Sequence, residues 1–432
     1  MLVEFSVANF RSFHERQTLS LVAGSGAEHR VHNVAASEDR KALDLLRTSV
    51  VYGPNAAGKS NLFRALQTLQ WLVQFSASGL QQGQPFPAVV PFRLTQEQSE
   101  GPSEFEITFV DDDQVRYQYG CAVRPDRVVR EWLIAYPQGR PQRWFERNHA
   151  AEGDKEWWFG PNFLGDRAQI KVWQDSTREN ALFLSTALQL NNAQLRPVFT
   201  WLTQRLIVLA PGVEMNPFLS LELLRTADGQ QRVMDFMRAA DIGIDRLELK
   251  EEALPASAAP PLSGTIRLRL ELGLPPGGVV PSGKQVRVLA WHKRKDDGQE
   301  IPFNLEEESD GTRKLFEFVG GLLRAMDSGA TLCIDELDRS LHPHITRFLV
   351  TLFHHPSNHG KNAQLIFSTH DVTLMTAELL RRDQIWFVEK SDQGASHLYP
   401  LIEYSPRKGE ALERGYLKGR YGALPLIGIL GH

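Results

Sequence analysis

The chain has 432 residues, 42% of them hydrophobic, and a formal net charge of −4. That length supports one large domain or a few ordinary ones with a sizeable core, and the charge argues against wholesale coating by nucleic acid without excluding a local basic groove. Two cysteines, Cys121 and Cys333, exclude a disulfide framework. The lack of a signal-peptide start or of a run of about 18 apolar residues leaves a soluble, cytoplasmic protein with no membrane partner as the expectation.

Leu2 to Val7 alternates as a strand does, and Gln17 to Val22 alternates again after Asn9-Phe10-Arg11-Ser12-Phe13, which predicts a hairpin. Next comes the apolar run Thr48 to Tyr52, then Gly53-Pro54-Asn55-Ala56-Ala57-Gly58-Lys59-Ser60, then the helical pattern Asn61 to Leu66. Strand, G-x-x-x-x-G-K-S and helix in that order predict a phosphate-binding loop. Glycines let backbone N–H groups curl around phosphate oxygens, where a Cβ would obstruct. Lys59 brings a positive charge to the β- and γ-phosphates of ATP, Ser60 brings a hydroxyl to Mg²⁺, and the helix N-terminus adds its partial charge. Leu62, Ala65, Leu66, Leu69 and Leu72 give the helix an apolar face, and Ser76 to Gly79 is expected to end it, with Gly79 left-handed.

Gln81 to Pro91 reads as a loop. Val90 to Leu94, Glu104 to Val110, Val115 to Tyr119 and Glu131 to Ala135 read as strands, with Asp111-Asp112-Asp113 as a hairpin turn. Residues 177–209 have helical spacing through Leu182, Leu184, Leu188, Leu190, Val198, Trp201, Leu202 and Leu206, and a second helix is predicted near 230–240. Pro255 to Pro261 is a connector. Thr265 to Leu272 reads as a strand with Gln285 to Lys293 as its partner.

Ala330 to Ile334 is an apolar run that ends in Asp335-Glu336. An acid at the end of a buried parallel strand can hold Mg²⁺, the role given to Asp335, and Glu336 can polarise an attacking water as general base. Gln364 to Phe367 repeats the pattern and ends in Ser368-Thr369-His370-Asp371. Ligands of open α/β sheets bind at that end, so His370 is expected at the γ-phosphate or the water. Glu308-Ser309-Asp310-Gly311-Thr312 leads into a helix, a start suited to an anion.

Taken together, these motifs resemble the ABC-class ATPases, in the branch that contains RecF, SMC and OLD proteins. Asn9 to Phe13 is similar to that branch's N-terminal strand motif, and Leu337 to Pro343 to its D-loop. The tail Gly415 to Pro425 resembles prokaryotic "AAA family ATPases" of the RloA-like group, often encoded in phage-defence operons. The resemblance covers both ends of the chain, while about 77–305 matches by position only. It implies an α/β fold, an ABC-type head with a mixed sheet around the phosphate loop, plus an inserted α+β or helical segment. The expected parts are 1–76 with Walker A, 77–176 an antiparallel β section, 177–305 the insertion, and 306–432 with signature, Walker B, D-loop and switch histidine.

The resemblance also implies two heads that clamp two ATP molecules. Arg11 and Asn61 join Gly53 to Ser60 around the nucleotide, while Ser309, Gly311 and Thr312 contact the partner head's γ-phosphate and Asp338 couples the two sites. The signature is Ser-Asp-Gly-Thr and not the transporter Leu-Ser-Gly-Gly-Gln. Gln114 and Gln118 both stand open as the Q-loop glutamine. His342 and His344 form a His-x-His pair that the D-loop reading accounts for without a metal. The leading expectation is an ATPase whose nucleotide-driven dimerisation controls a separate effector or nuclease protein in phage defence. The alternative is a RecF-like clamp on duplex DNA, with Arg124, Arg127, Arg130, Arg140 and Arg143 as candidate contacts.

Overall fold

Every residue of the strand Thr48–Tyr52 is buried, as befits a strand paired on both edges and covered on both faces. It pairs in parallel with Gln364–Ser368 on one side and Ile385–Lys390 on the other. Thr331–Ile334 and then Leu206–Leu209 extend the sheet beyond Gln364–Ser368, and antiparallel Ser396–Pro400 closes the opposite edge. The fold is therefore α/β with a mixed sheet around the phosphate loop. The carboxyl ends of its parallel strands share one edge, and Gly53, Asp335 and Thr369 follow directly from them. The computed structural model describes residues 1–36, 43–149, 156–211, 215, 217–253, 284–407 and 409–425.

The chain divides into two units, Met1–Pro211 with Ala325–Leu337 and Leu349–His432, and Gly212–Arg324 with Asp338–Phe348. The first holds the mixed sheet and a second, antiparallel one. The latter runs Trp157–Phe159, Gln142–Asn148, Val128–Tyr136, Arg116–Val123, Ser103–Val110, Leu2–Ala8, Gln17–Ser20. The expected N-terminal hairpin is present, with Glu4 opposite Ser20. The helix Lys59–Phe75 buries Leu62, Phe63, Leu66, Leu69, Leu72 and Val73 in one core that also takes Phe5 and Phe105 from the antiparallel sheet and Val51 and Ile366 from the mixed one. Gln364 ties the sheets together. Its amide oxygen accepts from the Leu2 N–H at 2.6 Å and from Thr331 Oγ1 at 3.0 Å, and its Nε2 donates to the Leu2 and Leu46 carbonyls.

Glu131 pins the antiparallel sheet to the start of the helix Phe183–Gln189. Its carboxylate is fully buried and accepts from the Phe183 N–H at 2.6 Å, the Leu184 N–H at 2.9 Å and the Tyr119 hydroxyl at 3.0 Å. Burial raises this carboxyl above its ordinary range, while the N–H donors, Arg147 and Tyr119 act against that rise. Glu131→Gln turns one acceptor into an NH₂ facing an N–H donor. It should cost about 1–3 kcal/mol in urea unfolding, and an unchanged midpoint would show that the carboxylate is dispensable.

Three sequence expectations change, and a fourth falls on residues that are not described. Val90 to Leu94 forms no strand, because its backbone is served by the N-terminal turn: Val90 O accepts from the Arg11 N–H and the Phe92 N–H donates to Asn9 Oδ1. Leu206 leaves the helical run and opens the strand Leu206–Leu209, since the parallel edge of Thr331–Ile334 offers hydrogen bonds that the pattern could not foresee. Gly79 donates to the Phe75 carbonyl at 2.7 Å without a left-handed backbone, as the chain continues in turns beyond the helix. Thr265 to Leu272 lies outside the described residues, and Lys284–Lys293 pairs with Arg246–Ala253 and Glu300–Asn304. These three strands form the sheet of the second unit. There Ser220, in the helix Phe218–Leu224, donates to the Phe316 carbonyl and accepts from the Gly320 N–H of the helix Asp310–Ser328. Among the described residues no helix is long and apolar enough to cross a membrane.

Candidate nucleotide site

Two glycines set the shape of the loop after Thr48–Tyr52. Gly53 has φ 155° and Gly58 φ 122°, and a Cβ on either would drive into the Val388 carbonyl oxygen or the Ser396 hydroxyl. Between them Asn55 and Ala56 are exposed at the tip, with Ala56 left-handed at φ 62°. Gly58 ends the loop, and its carbonyl accepts the Asn61 and Leu62 N–H groups as the helix begins. Lys59 is buried and donates to the Gly53 and Pro54 carbonyls at 2.7 and 3.2 Å, so its charge lies along the loop it is meant to serve.

Ser60 and Asp335, 275 positions apart, are brought into direct contact. Ser60 Oγ donates to Asp335 Oδ2 at 2.7 Å, and Ser368 Oγ donates to Asp335 Oδ1 at 2.6 Å while accepting the Glu336 N–H at 2.8 Å. The Ser368 carbonyl accepts the Leu337 N–H, so Ser368 holds both ends of the Asp335-Glu336 turn. Glu336 is partly exposed and left-handed at φ 55°, a costly conformation for a residue with a side chain. A hydroxyl and a carboxylate in mutual reach form the hard-oxygen donor set that suits Mg²⁺.

His370 is exposed at the same edge. The residues beside it are fixed: the Thr369 N–H donates to the Val51 carbonyl, and the Tyr52 hydroxyl donates to the Asp371 carbonyl at 3.2 Å. The Asp371 carboxylate accepts from the Thr373 N–H and hydroxyl. The C-terminal tail braces this edge from behind, with Tyr416 packed on Tyr52 and stacked on Phe387.

A polar chain that sequence reasoning passed over joins the N-terminal turn to the loop. Asn61 Nδ2 donates to Ser12 Oγ at 2.8 Å, the Ser12 and Ser396 hydroxyls bond at 2.7 Å, and Ser396 donates to the Ala57 carbonyl. Asn61 thus holds the turn. Arg11, beside Ser12, is left-handed at φ 51°. Only the serine in Asn9 to Phe13 hinted at Ser12, and nothing local marked Ser396.

In the second unit, Ser309 caps the helix Asp310–Ser328. Its hydroxyl accepts the Thr312 N–H at 3.2 Å and bonds Thr312 Oγ1 at 2.9 Å. At Gly311 a Cβ would meet the Ser340 carbonyl oxygen at 3.7 Å and the Ser309 hydroxyl at 3.9 Å, ordinary contact distances. Asp338 lies in the same unit, and its carbonyl accepts the Leu341 N–H. His342 Nδ1 accepts the His344 N–H at 3.2 Å, which uses that nitrogen within the turn. Gln114 sits in the hairpin turn, and Gln118 Oε1 accepts from the Tyr136 hydroxyl on the antiparallel sheet. The turn reading of Asp111 to Asp113 agrees with Asp111 accepting the Val115 N–H at 2.9 Å.

Several solved structures are similar to this chain. An SMC head bound to the C-terminal winged-helix domain of ScpA matches with 12% identity over 92% of this chain and 97% of that one, at a TM-score of 0.43. The SMC head domain from Thermotoga maritima matches with 14% identity over 92% and 98% of the two chains, at a TM-score of 0.38. The recombination mediator RecF with ATP matches with 14% identity over 92% and 97%, at a TM-score of 0.33. No curated protein matches. Residues 49–376 match the family model described as "AAA domain, putative AbiEii toxin, Type IV TA system", and since that span runs from the phosphate-loop strand past His370, the chain belongs to this family of AAA-domain ATPases.

Proposed function

We propose that this chain binds and hydrolyses ATP as an ABC-class ATPase, and that nucleotide closes two copies head to head to control an effector protein in anti-phage defence. The observation that carries the reading is the Ser60–Asp335–Ser368 contact, which joins the phosphate loop to the acidic strand end through side chains far apart in the sequence. Gly53 to Ser60 hold the phosphates, Lys59 moves its charge from the loop carbonyls to the β- and γ-phosphates, and Ser60 and Asp335 hold Mg²⁺. The bound ion supplies charge neutralisation at the phosphates. Glu336 takes a proton from the attacking water, and His370 contacts that water or the γ-phosphate.

Ser309, Gly311 and Thr312 serve the partner copy's nucleotide, with Asp338 between the two sites. The capped helix start, with a glycine in its first turn, supports that role. ATP binding then favours the closed pair, and hydrolysis removes the phosphate that bridges it. The family description, which names a putative toxin of a toxin–antitoxin system, suits a role coupled to an effector activity.

The DNA-clamp alternative draws less support. Arg130 and Arg143 both pair with Glu146, and Arg127 pairs with Asp126 and Glu179, so these three charges are already balanced. The deciding experiment measures phosphate release and solution mass with and without ATP. The wild type should turn over ATP and double in mass with a slowly cleaved analogue. Lys59→Ala should weaken nucleotide binding by at least roughly tenfold and abolish both effects. A wild type that stays single and releases no phosphate sinks the proposal.

A further inference from the structure

Glu308 immediately precedes Ser309, and its side chain turns inward where its neighbours do not. Glu306 and Glu307 are exposed, and the Glu307 carboxylate is used locally, accepting from the Asn304 N–H and Nδ2 at 2.7 and 3.1 Å. The Glu308 carboxylate instead meets His292 Nε2 at 2.6 Å, with its side chain 15% exposed. His292 lies on the strand Lys284–Lys293, opposite Ile301 of Glu300–Asn304, and its ring stands edge-on to Phe303.

The other ring nitrogen is also engaged. Nδ1 lies 3.1 Å from the Gly243 carbonyl oxygen, in the segment between the helix Ala227–Ala239 and the strand Arg246–Ala253. A carbonyl and a carboxylate both accept, whereas a neutral imidazole has one N–H to give. Filling both contacts takes one further proton, held between the ring and the carboxylate. A charge-assisted contact of that kind is short and strong, in keeping with 2.6 Å. The other hydrogen bond of Glu308, from its own N–H to the Leu305 carbonyl at 3.2 Å, stays within the same turn. Ser309 spends its hydroxyl on the Thr312 N–H and so does not fix its own helix to the sheet.

We propose that His292 is a positioning residue for the helix start Ser309-Asp310-Gly311-Thr312. Through Glu308 it ties that start to the three-stranded sheet of the second unit, in the placement at which Ser309 meets the partner copy's nucleotide. The role rests on the head-to-head reading above and needs no contact between His292 and nucleotide.

The variants are His292→Ala, Glu308→Ala, the two together, and Glu308→Gln, whose amide N–H can donate to His292 and keep the link without the charge. Ser309→Ala is the reference for a lost helix start. His292→Ala and Glu308→Ala should each lower ATP turnover by roughly 10- to 100-fold, the cost of a misplaced contact, while a fluorescent ATP binds as tightly as to the wild type. The double variant should lose no more than either single one, since the two side chains act as one link, and Glu308→Gln should keep most of the turnover. Mixing copies gives a readout that a merely structural role would not move. Lys59→Ala copies bring an intact Ser309, so they should restore turnover to His292→Ala as they do to Ser309→Ala. Losses that multiply in the double variant, a loss of ATP affinity, or a mix that rescues Ser309→Ala alone each overturn the role. Single variants within about twofold of wild type overturn it too and leave the ATPase reading intact. A wild type without turnover, or Ser309→Ala with full turnover, overturns the head-to-head reading and this role with it.

Discussion

Glu336→Gln should lower ATP turnover by about 10²- to 10⁴-fold, the usual share of a positioned general base, and leave nucleotide affinity close to wild type. The geometry makes this substitution informative. Ser368 accepts the Glu336 N–H and donates to Asp335, and its carbonyl accepts the Leu337 N–H, so the backbone at Glu336 is held without help from its own side chain. Gln keeps the size and removes only the capacity to take a proton. The left-handed backbone at φ 55° is a cost that a merely structural glutamate would have no reason to bear, and glycine would bear it more cheaply. If two copies close on ATP, the variant should also accumulate as the closed pair, visible as a doubled mass in ATP that the wild type shows only transiently. Asp335→Asn should behave differently. It loses the charge that Ser60 and Ser368 point to and should weaken Mg²⁺-dependent binding itself. Turnover by Glu336→Gln within a few fold of wild type would remove Glu336 from the chemistry and leave His370 or bound solvent to do its work.

The local parts of this site were readable because their chemistry is contiguous. Gly53 to Ser60 must supply the glycines, the lysine and the hydroxyl within eight positions, and an apolar run ending in Asp335-Glu336 marks its own buried strand. The parts that escaped reading are held across long separations. Ser12 meets Ser396 over 384 positions, Leu2 meets Gln364 over 362, and no periodicity within a window reports such pairs. Leu206 shows the same limit from the other side. Its spacing fits a helix, and the waiting edge of Thr331–Ile334 makes it a strand. Arg11 is expected at the nucleotide from the strand motif it sits in, whereas Arg64 and Arg93 each look like ordinary surface charges in sequence.

Arg381→Ala should cost about 3–5 kcal/mol of stability, the penalty for breaking one side of a buried ion pair. Arg381 is 2% exposed. Its Nε and Nη2 donate to both oxygens of Asp383 at 2.9 and 2.6 Å, and its remaining donors reach the carbonyls of Gly24, Gly26 and Glu28. Asp383 in turn accepts the Gly24 N–H at 2.8 Å, so the pair fastens residues 24–28 to the segment that leads into Ile385–Lys390. Removing the guanidinium strands one carboxylate oxygen and leaves three carbonyls without this donor. The neighbouring network carries the damage toward the site. Gln384 accepts the Arg381 N–H and donates to the Thr48 carbonyl, and Thr48 begins the strand that ends at the phosphate loop. Denaturant unfolding measures the loss, and the doubly apolar change Arg381→Met with Asp383→Leu separates its origins. If the cost comes mainly from a carboxylate left buried and unpaired, the double variant should recover a good part of it. Equal losses in both would instead place the weight on the carbonyls of Gly24, Gly26 and Glu28, and a single-variant loss below about 1 kcal/mol would mean that water reaches Asp383 as readily as the guanidinium does.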